Sequence, residues 1–322
     1  MTDYGPDDIV LITGLEHIRM RPGMYVGSLD SEGIVVLLRE LVDNALDMHL
    51  AGRCRTIGVS LGLPLRVWDE GPGFPEAQIG AFTELHIGNT RDGHAPHVHI
   101  GGFGVGLVIV NALSRVVTLE TWQGERLRRW RFVEQALVEE SWHHLPHTRA
   151  SVPWTTRLGF EPDASILGAA LPTRVRVLEE FGHLPWLFPT LRLELDGERL
   201  EQPEGLRGWV RAHGGERVDA CVLERPGMRV EAAWGEARAR DVAGFVNCRA
   251  SPLGSHARGL EHGLARARGV PVGQLRERLV GIVHVVATDP RFAGPTRETF
   301  QDADAERWIA EGIAAHASAK PA

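Results

Sequence analysis

The 322 residues, 43% hydrophobic and 24% charged, suffice for two domains with separate cores and argue against disorder. The formal charge of −7 offers no global attraction to DNA, so contact with nucleic acid would need a local basic surface. No apolar run approaches the roughly 20 residues that span a bilayer, and Met1-Thr2-Asp3-Tyr4 opens no leader peptide, so a cytoplasmic chain with no membrane contact is expected. Cys54, Cys221 and Cys248 lack paired spacing and nearby histidines at zinc-site intervals, and read as small buried residues in a reducing compartment.

Between Gly33 and Leu50, apolar residues at Val35, Leu38, Leu41, Val42, Ala45 and Leu46 predict a helix with one buried stripe. Val59 and Leu61, then Leu65 and Val67, alternate across Gly62-Leu63-Pro64 and predict a hairpin ending at Asp69. A polar loop, His86 to Gly106, feeds an apolar helix from Leu107 to Leu113. Strands are expected at Val116 to Trp122 and Arg126 to Val133, joined by Gln123-Gly124-Glu125. A polar stretch rich in turn formers, Asp196 to Gly205, divides the chain. Beyond it, strands are expected at Arg229 to Trp234, Ala243 to Asn247 and Gly281 to Thr288, and helices at Gly259 to Arg268, Val272 to Leu279 and Ala303 to Ala317. The reading is two α/β layers with a boundary near residue 200.

Three segments carry chemistry. Glu40 and Asn44, four apart on the first helix, project from the same face: a solvated face by the plain reading, or a carboxylate that activates water beside an amide oxygen that coordinates Mg²⁺. Asp69-Glu70-Gly71-Pro72-Gly73 runs from a strand end into a glycine turn, a common turn but also a carboxylate able to accept from an exocyclic amine where a flat base can approach. Gly101-Gly102-Phe103-Gly104-Val105-Gly106 precedes the apolar helix and can wrap a polyphosphate with its N–H groups; no Gly-Lys-Ser/Thr follows, so it is not a Walker A loop.

In this order the three segments resemble the GHKL ATPases, which include gyrase B, MutL and histidine kinases. Gly14 through Gly27, Asn111-Ala112-Leu113-Ser114, and Thr156 before Phe160 and Pro162 narrow the resemblance to the ATPase subunits of type IIA DNA topoisomerases, gyrase B and topoisomerase IV. Phe245-Val246-Asn247, Gly254-Ser255-His256 and Asp289 through Arg297 extend it through nearly the whole chain. The resemblance implies an α/β (α+β two-layer) architecture: a GHKL (Bergerat) ATP-binding sandwich over residues 1–200, with a dimerisation arm at about 1–13, then a transducer domain of ribosomal-protein-S5-like α/β fold over 201–322. It implies ATP and Mg²⁺ as ligands. Glu40 would be the general base and Asn44 the Mg²⁺ ligand; Asp69, Gly73 and Thr156 would bind adenine; Gly101, Gly102, Gly104, Val105 and Gly106 would hold phosphates. Tyr4 would touch the partner's nucleotide in an ATP-bound homodimer, and Arg297 would sense the γ-phosphate. DNA contact through Arg249, Arg258, Arg266 and Arg268, and a topoisomerase A-type subunit, are the other partners implied.

Several positions depart from that pattern. Pro295-Thr296-Arg297 stands where the family has Gln-Thr-Lys; an arginine fork places charge differently from an ammonium, although Lys320 is the chain's only lysine and drift explains the exchange equally. Arg91, His94, His97 and His99 replace lysines of the lid, which makes either a pH-sensitive phosphate contact or a solvated loop. Met48 and Pro72 together replace a glutamate–arginine pair at the pocket mouth. No Glu-Gly-Asp-Ser segment with a later Asp-x-Asp is present, so this polypeptide is expected not to cut DNA. The expected function is an ATP-operated clamp; the alternative is a stand-alone, catalytically slow, nucleotide-dependent dimerisation module that regulates or mimics a topoisomerase, with Lys320-Pro321-Ala322 as a natural end.

Overall fold

The computed structural model describes residues 14–85, 104–143, 149–252, 254–294 and 299–319. They pack into two units, each a sheet with helices. Among the described residues no helix is long and apolar enough to cross a membrane.

The first unit comprises residues 14–85, 104–143, 149–182 and 192–200. Its elements are α1 (Gly14–Met20), α2 (Gly23–Val26), α3 (Ser31–Leu50), β1 (Thr56–Ser60), β2 (Leu65–Asp69), α4 (Gly106–Ala112), β3 (Ser114–Gln123), β4 (Arg126–Val133), β5 (Ala136–His143), β6 (Thr156–Pro162), α5 (Ala164–Leu167), α6 (Arg174–Phe181), β7 (Arg192–Leu195) and β8 (Glu198–Leu200). The eight strands follow the order β5-β4-β3-β6-β2-β1-β7-β8, and of the pairings only β1 with β7 is parallel. The expected hairpin is β1–β2, and β6, distant in sequence, inserts between β2 and β3.

Helix α3 starts where Asp30 caps it, its carboxylate accepting from Glu32 N–H at 2.9 Å. Ile34, Val35, Leu37, Leu38, Leu41, Val42 and Leu46 are fully or almost fully buried, an apolar stripe that α3 lays against β1, β2 and α4. The segment before α3 is pinned by Arg19, which donates to the Ala112 carbonyl and to Asp163 at 2.8 Å each. On the sheet's other face Glu120 is buried between Arg129 and Arg157, whose guanidiniums hold its carboxyl below the usual range despite the burial that opposes ionisation.

The second unit comprises residues 183–191, 201–252, 254–294 and 299–319. It contains α7 (Leu184–Leu187), α8 (Gly205–Ala212), β9 (Glu216–Arg225), β10 (Met228–Glu236), β11 (Asp241–Val246), β12 (Arg249–Ala250), α9 (Ser255–Arg268), α10 (Val272–Arg276), β13 (Leu279–Ala287) and α11 (Ala303–Ser318). The strand order is β12-β11-β13-β10-β9, with β13 buried almost throughout and parallel to β11. Its core gathers Val230, Ala232, Trp234, Val283 and Val285 under Leu260, Leu264, Ile309 and Ile313. Buried Glu261 is held by Arg240 at 2.9 Å and Arg276 at 2.7 Å.

Two expectations change. The helix expected over Val272 to Leu279 stops at Arg276, and Leu279 opens β13, because Leu279–Ala287 is a buried run rich in β-branched residues that fits a central strand. The polar stretch from Asp196 is not wholly a divider. Asp196 and Gly197, both at positive φ (50° and 84°), form the two-residue turn of the β7–β8 hairpin within the first unit.

Candidate nucleotide site

Glu40 and Asn44 lie one turn apart on α3, Glu40 half-buried and Asn44 exposed. Glu40 faces Gly106, the first residue of α4: a β-carbon placed on Gly106 would meet the Glu40 Oε2 at 2.5 Å and its Cβ at 3.1 Å. Glycine at 106 therefore leaves the space in which the carboxylate sits. Gly104, at φ +64°, turns the chain into Val105, which caps α4. That helix is fixed from within, since Asn111 Nδ2 donates to the carbonyls of Phe82 at 2.9 Å and Gln135 at 3.1 Å.

Asp69 closes β2. Its Oδ1 accepts from Gly71 N–H at 2.8 Å, and its backbone carbonyl accepts from Thr155 N–H at 2.7 Å. Burial pushes the Asp69 carboxyl up to about 6, against the Gly71 hydrogen bond, which favours the ionised form; the neighbouring Glu70 charge adds to the rise. Gly73 adopts φ +97°, in the region that favours glycine, and a side chain there would press on Thr121 Oγ1 at 3.0 Å and the Trp122 carbonyl at 3.3 Å.

Strand register aligns the groups. Asp69 pairs with Thr156, and Thr156 with Thr121, so the three side chains form one row on one face of the sheet. Thr121 is fully buried; its Oγ1 accepts from Phe74 N–H at 3.0 Å and lies 3.5 Å from Thr156 Oγ1. The row continues to Arg128 on β4, whose guanidinium turns to Glu76, at 2.8 Å to Oε1, and to Glu140. Chemically, the arrangement offers a carboxylate acceptor with a hydroxyl beside it next to a glycine turn, and a second carboxylate against the end of a glycine loop, where α4 starts.

The structure thus brings Asp69, Gly73 and Thr156 together, and Glu40 together with Gly106. Tyr4, Gly101, Gly102 and Arg297, with Pro295, Thr296 and the lid residues Arg91, His94, His97 and His99, lie outside the described residues. Met48 is half-buried on α3 and Pro72 exposed in its turn. Of the second-unit arginines, Arg258 pairs with Glu306 at 2.8 Å and Arg268 with Glu236 at 3.2 Å, while Arg266 is exposed. Thr121 is the member of the row that sequence reasoning misses. Its signal is a hydroxyl at an inward position after Val117 and Leu119 in an otherwise apolar alternation.

Residues 29–133 match the family described as histidine kinase-, DNA gyrase B-, and HSP90-like ATPase. The chain is 29% identical to the DNA gyrase B protein of Archaeoglobus fulgidus over 97% of its own length, and 26% identical to that of Helicobacter pylori over 92%. Residues 29–133 thus resemble that ATPase family, and the chain is similar to gyrase B proteins along nearly its whole length. The fold agrees along its length: the B-subunit of the DNA gyrase from Myxococcus xanthus superposes with a TM-score of 0.81 at 22% identity, covering 95% of each chain. The 43K ATPase domain of Thermus thermophilus gyrase B, solved in complex with an aminocoumarin, gives 0.79 at 22% identity, covering 95% of this chain and 89% of that one. The chain spans about half the length of these curated relatives, 55% of the Archaeoglobus protein and 43% of the Helicobacter protein.

Proposed function

We propose that this chain binds and hydrolyses ATP with Mg²⁺ as the N-terminal gate of a type IIA topoisomerase, closing on ATP as a homodimer. The observation that carries the reading is the convergence of Asp69, Thr156 and the Gly73 turn on one sheet row, with Glu40 against Gly106 one strand-to-helix layer away. In this reading the Asp69 carboxylate accepts from the adenine exocyclic amine, Thr156 completes the base contact, and Gly73 lets the ring lie against the backbone. Gly101, Gly102, Gly104, Val105 and Gly106 supply N–H groups to the phosphates.

Glu40 accepts a proton from the water that attacks the γ-phosphorus, while the bond to the β–γ bridging oxygen breaks and ADP and phosphate leave. General-base assistance of this kind contributes about 10²–10⁴-fold. Asn44 fits Mg²⁺ because one neutral amide oxygen, exposed beside the carboxylate, suits an ion that takes few protein oxygens and completes its shell with phosphates and water. Among the described residues no group of three or more His, Cys, Asp or Glu competes for that role. The ion's contribution would be neutralisation of phosphate charge. Arg297 would contact the γ-phosphate, and Tyr4 the partner's nucleotide. DNA bound through Arg266 and its neighbours, a topoisomerase A-type subunit and a cytoplasmic location complete the proposal; three buried cysteines outside any disulfide fit a reducing compartment.

The test is ATP turnover and mass in solution with ATP, ADP and a non-hydrolysable analogue. Glu40→Ala is expected to retain nucleotide binding and lose turnover at least about 100-fold. Undiminished turnover would remove Glu40 as the base, and a monomer under every nucleotide would remove the gate.

A further inference from the structure

The row that carries Asp69 contains one buried hydroxyl to which the proposed adenine contacts give no role. We infer that Thr121 is a positioning residue that fixes the Thr156 hydroxyl as a donor and thereby sets the preference of the site for adenine over guanine. The inference rests on the nucleotide reading of this site and adds a base-selecting element to it.

The direction of each hydroxyl proton decides what the site presents. A threonine hydroxyl has one proton to give and two lone pairs to receive with. Thr121 Oγ1 already receives from Phe74 N–H at 3.0 Å, so the turn after Gly73 claims a lone pair and leaves the proton to be directed elsewhere. The neighbouring oxygen in the row is Thr156 Oγ1, 3.5 Å away. Thr121 is fully buried, so water offers no competing partner. Arg128, next in the row, cannot take that proton, because a guanidinium donates and has no acceptor to offer. Receiving from Thr121, Thr156 has its own proton free to point into the site.

The site then presents an acceptor, the Asp69 carboxylate, beside a donor, the Thr156 hydroxyl. Adenine shows the complementary edge, an amine donor beside a ring-nitrogen acceptor, met directly or through one water. Guanine in the same pose turns its carbonyl toward the carboxylate and its ring N–H toward the hydroxyl, a mismatch at both places. Discrimination built from paired polar groups is steep because a wrong partner leaves buried groups unpaired.

The experiment measures calorimetric affinities of non-hydrolysable ATP and GTP analogues for the full chain carrying Thr121→Val, Thr121→Ser, Thr121→Ala or Asp69→Ala, with thermal melting of each. Thr121→Val is expected to reduce the ATP-to-GTP affinity ratio about tenfold, and Thr121→Ser to restore it to within about twofold. A passive structural role would lower both affinities equally and leave the ratio unmoved. A folded Thr121→Val protein with an unchanged ratio overturns the inference. Should Thr121→Val fail to fold, Thr121→Ala, measured in the same way, carries the test: a reduced ratio supports the relay and an unchanged ratio overturns it. ATP binding that is lost in Asp69→Ala while the ratio is indifferent to Thr121 refutes this inference alone. A wild-type chain that binds neither analogue refutes the nucleotide reading and the inference with it.

Discussion

Replacing Gly106 by alanine puts a methyl group where Glu40 now lies. The new carbon would start 2.5 Å from the Glu40 Oε2 and 3.1 Å from its Cβ, so the carboxylate must retreat by about 1 Å to reach ordinary contact distance. The backbone accepts the change, since Gly106 is not among the positive-φ glycines and sits at the first position of α4, where alanine is a good helix former. Stability should therefore change little, the ~0.4–1 kcal/mol that a compatible Gly→Ala change brings through the unfolded chain being opposed by the crowding of the Glu40 Cβ at 3.1 Å. Catalysis should suffer: a misplacement of about 1 Å at a reacting group costs on the order of 10²-fold. Steady-state ATP turnover of Gly106→Ala, with melting temperature and nucleotide affinity measured on the same sample, separates the two effects. A wild-type turnover number in a protein with the alanine in place would refute the idea that the Glu40 position matters to hydrolysis.

Asp69 should leave a signature in the pH dependence of stability. Its folded-state value, about 6, lies above the ordinary carboxylate value, so between roughly pH 4 and 6 the folded protein binds more protons than the unfolded chain, and stability falls as pH rises through that window. Asp69→Asn should flatten this component, worth at most about 3 kcal/mol, in chemical denaturation at pH 4 and pH 7 without nucleotide; an unchanged pH profile would show the carboxylate is not so perturbed. Glu261→Gln leaves two arginines of the second unit without their shared carboxylate. A loss of about 2 kcal/mol is expected, short of the fully buried case because Arg240 and Arg276 are both more than 40% exposed. Denaturant midpoints check it, and a change within error would mean solvent already screens the cluster. Its low-lying carboxyl also predicts that the wild-type advantage fades in acid as Glu261 protonates.

The parts of the site that lie on single elements are legible in the amino-acid sequence. The α3 stripe is a periodic pattern in one segment, so spacing alone places Glu40 and Asn44 on a shared face, and the β1–β2 hairpin is bounded by its own turn residues. Thr156 beside Asp69 is different: their adjacency depends on β6 entering between β2 and β3, which no local pattern encodes, and only the family resemblance singles Thr156 out. Strands β5 and β9 are hard to read because their exposed polar and charged residues blur the alternation that a half-buried strand shows. The Asp196–Gly197 turn reads as a boundary, since a tight hairpin turn and a linker share the same residue types.

The return of residues 192–200 to the first unit after 183–191 have packed with the second has a covalent consequence. The backbone commutes between the units instead of passing once through a tether. A single protease cut cannot release either unit whole. Cleavage after Gly182 leaves β7 and β8, which belong to the first sheet, on the fragment that carries the second unit, and cleavage after Leu200 leaves Leu184, Leu187 and Leu191, all nearly inaccessible in the intact chain, attached to a fragment that has no core for them. Limited proteolysis should accordingly yield fragments that stay associated under native conditions and separate only in denaturant.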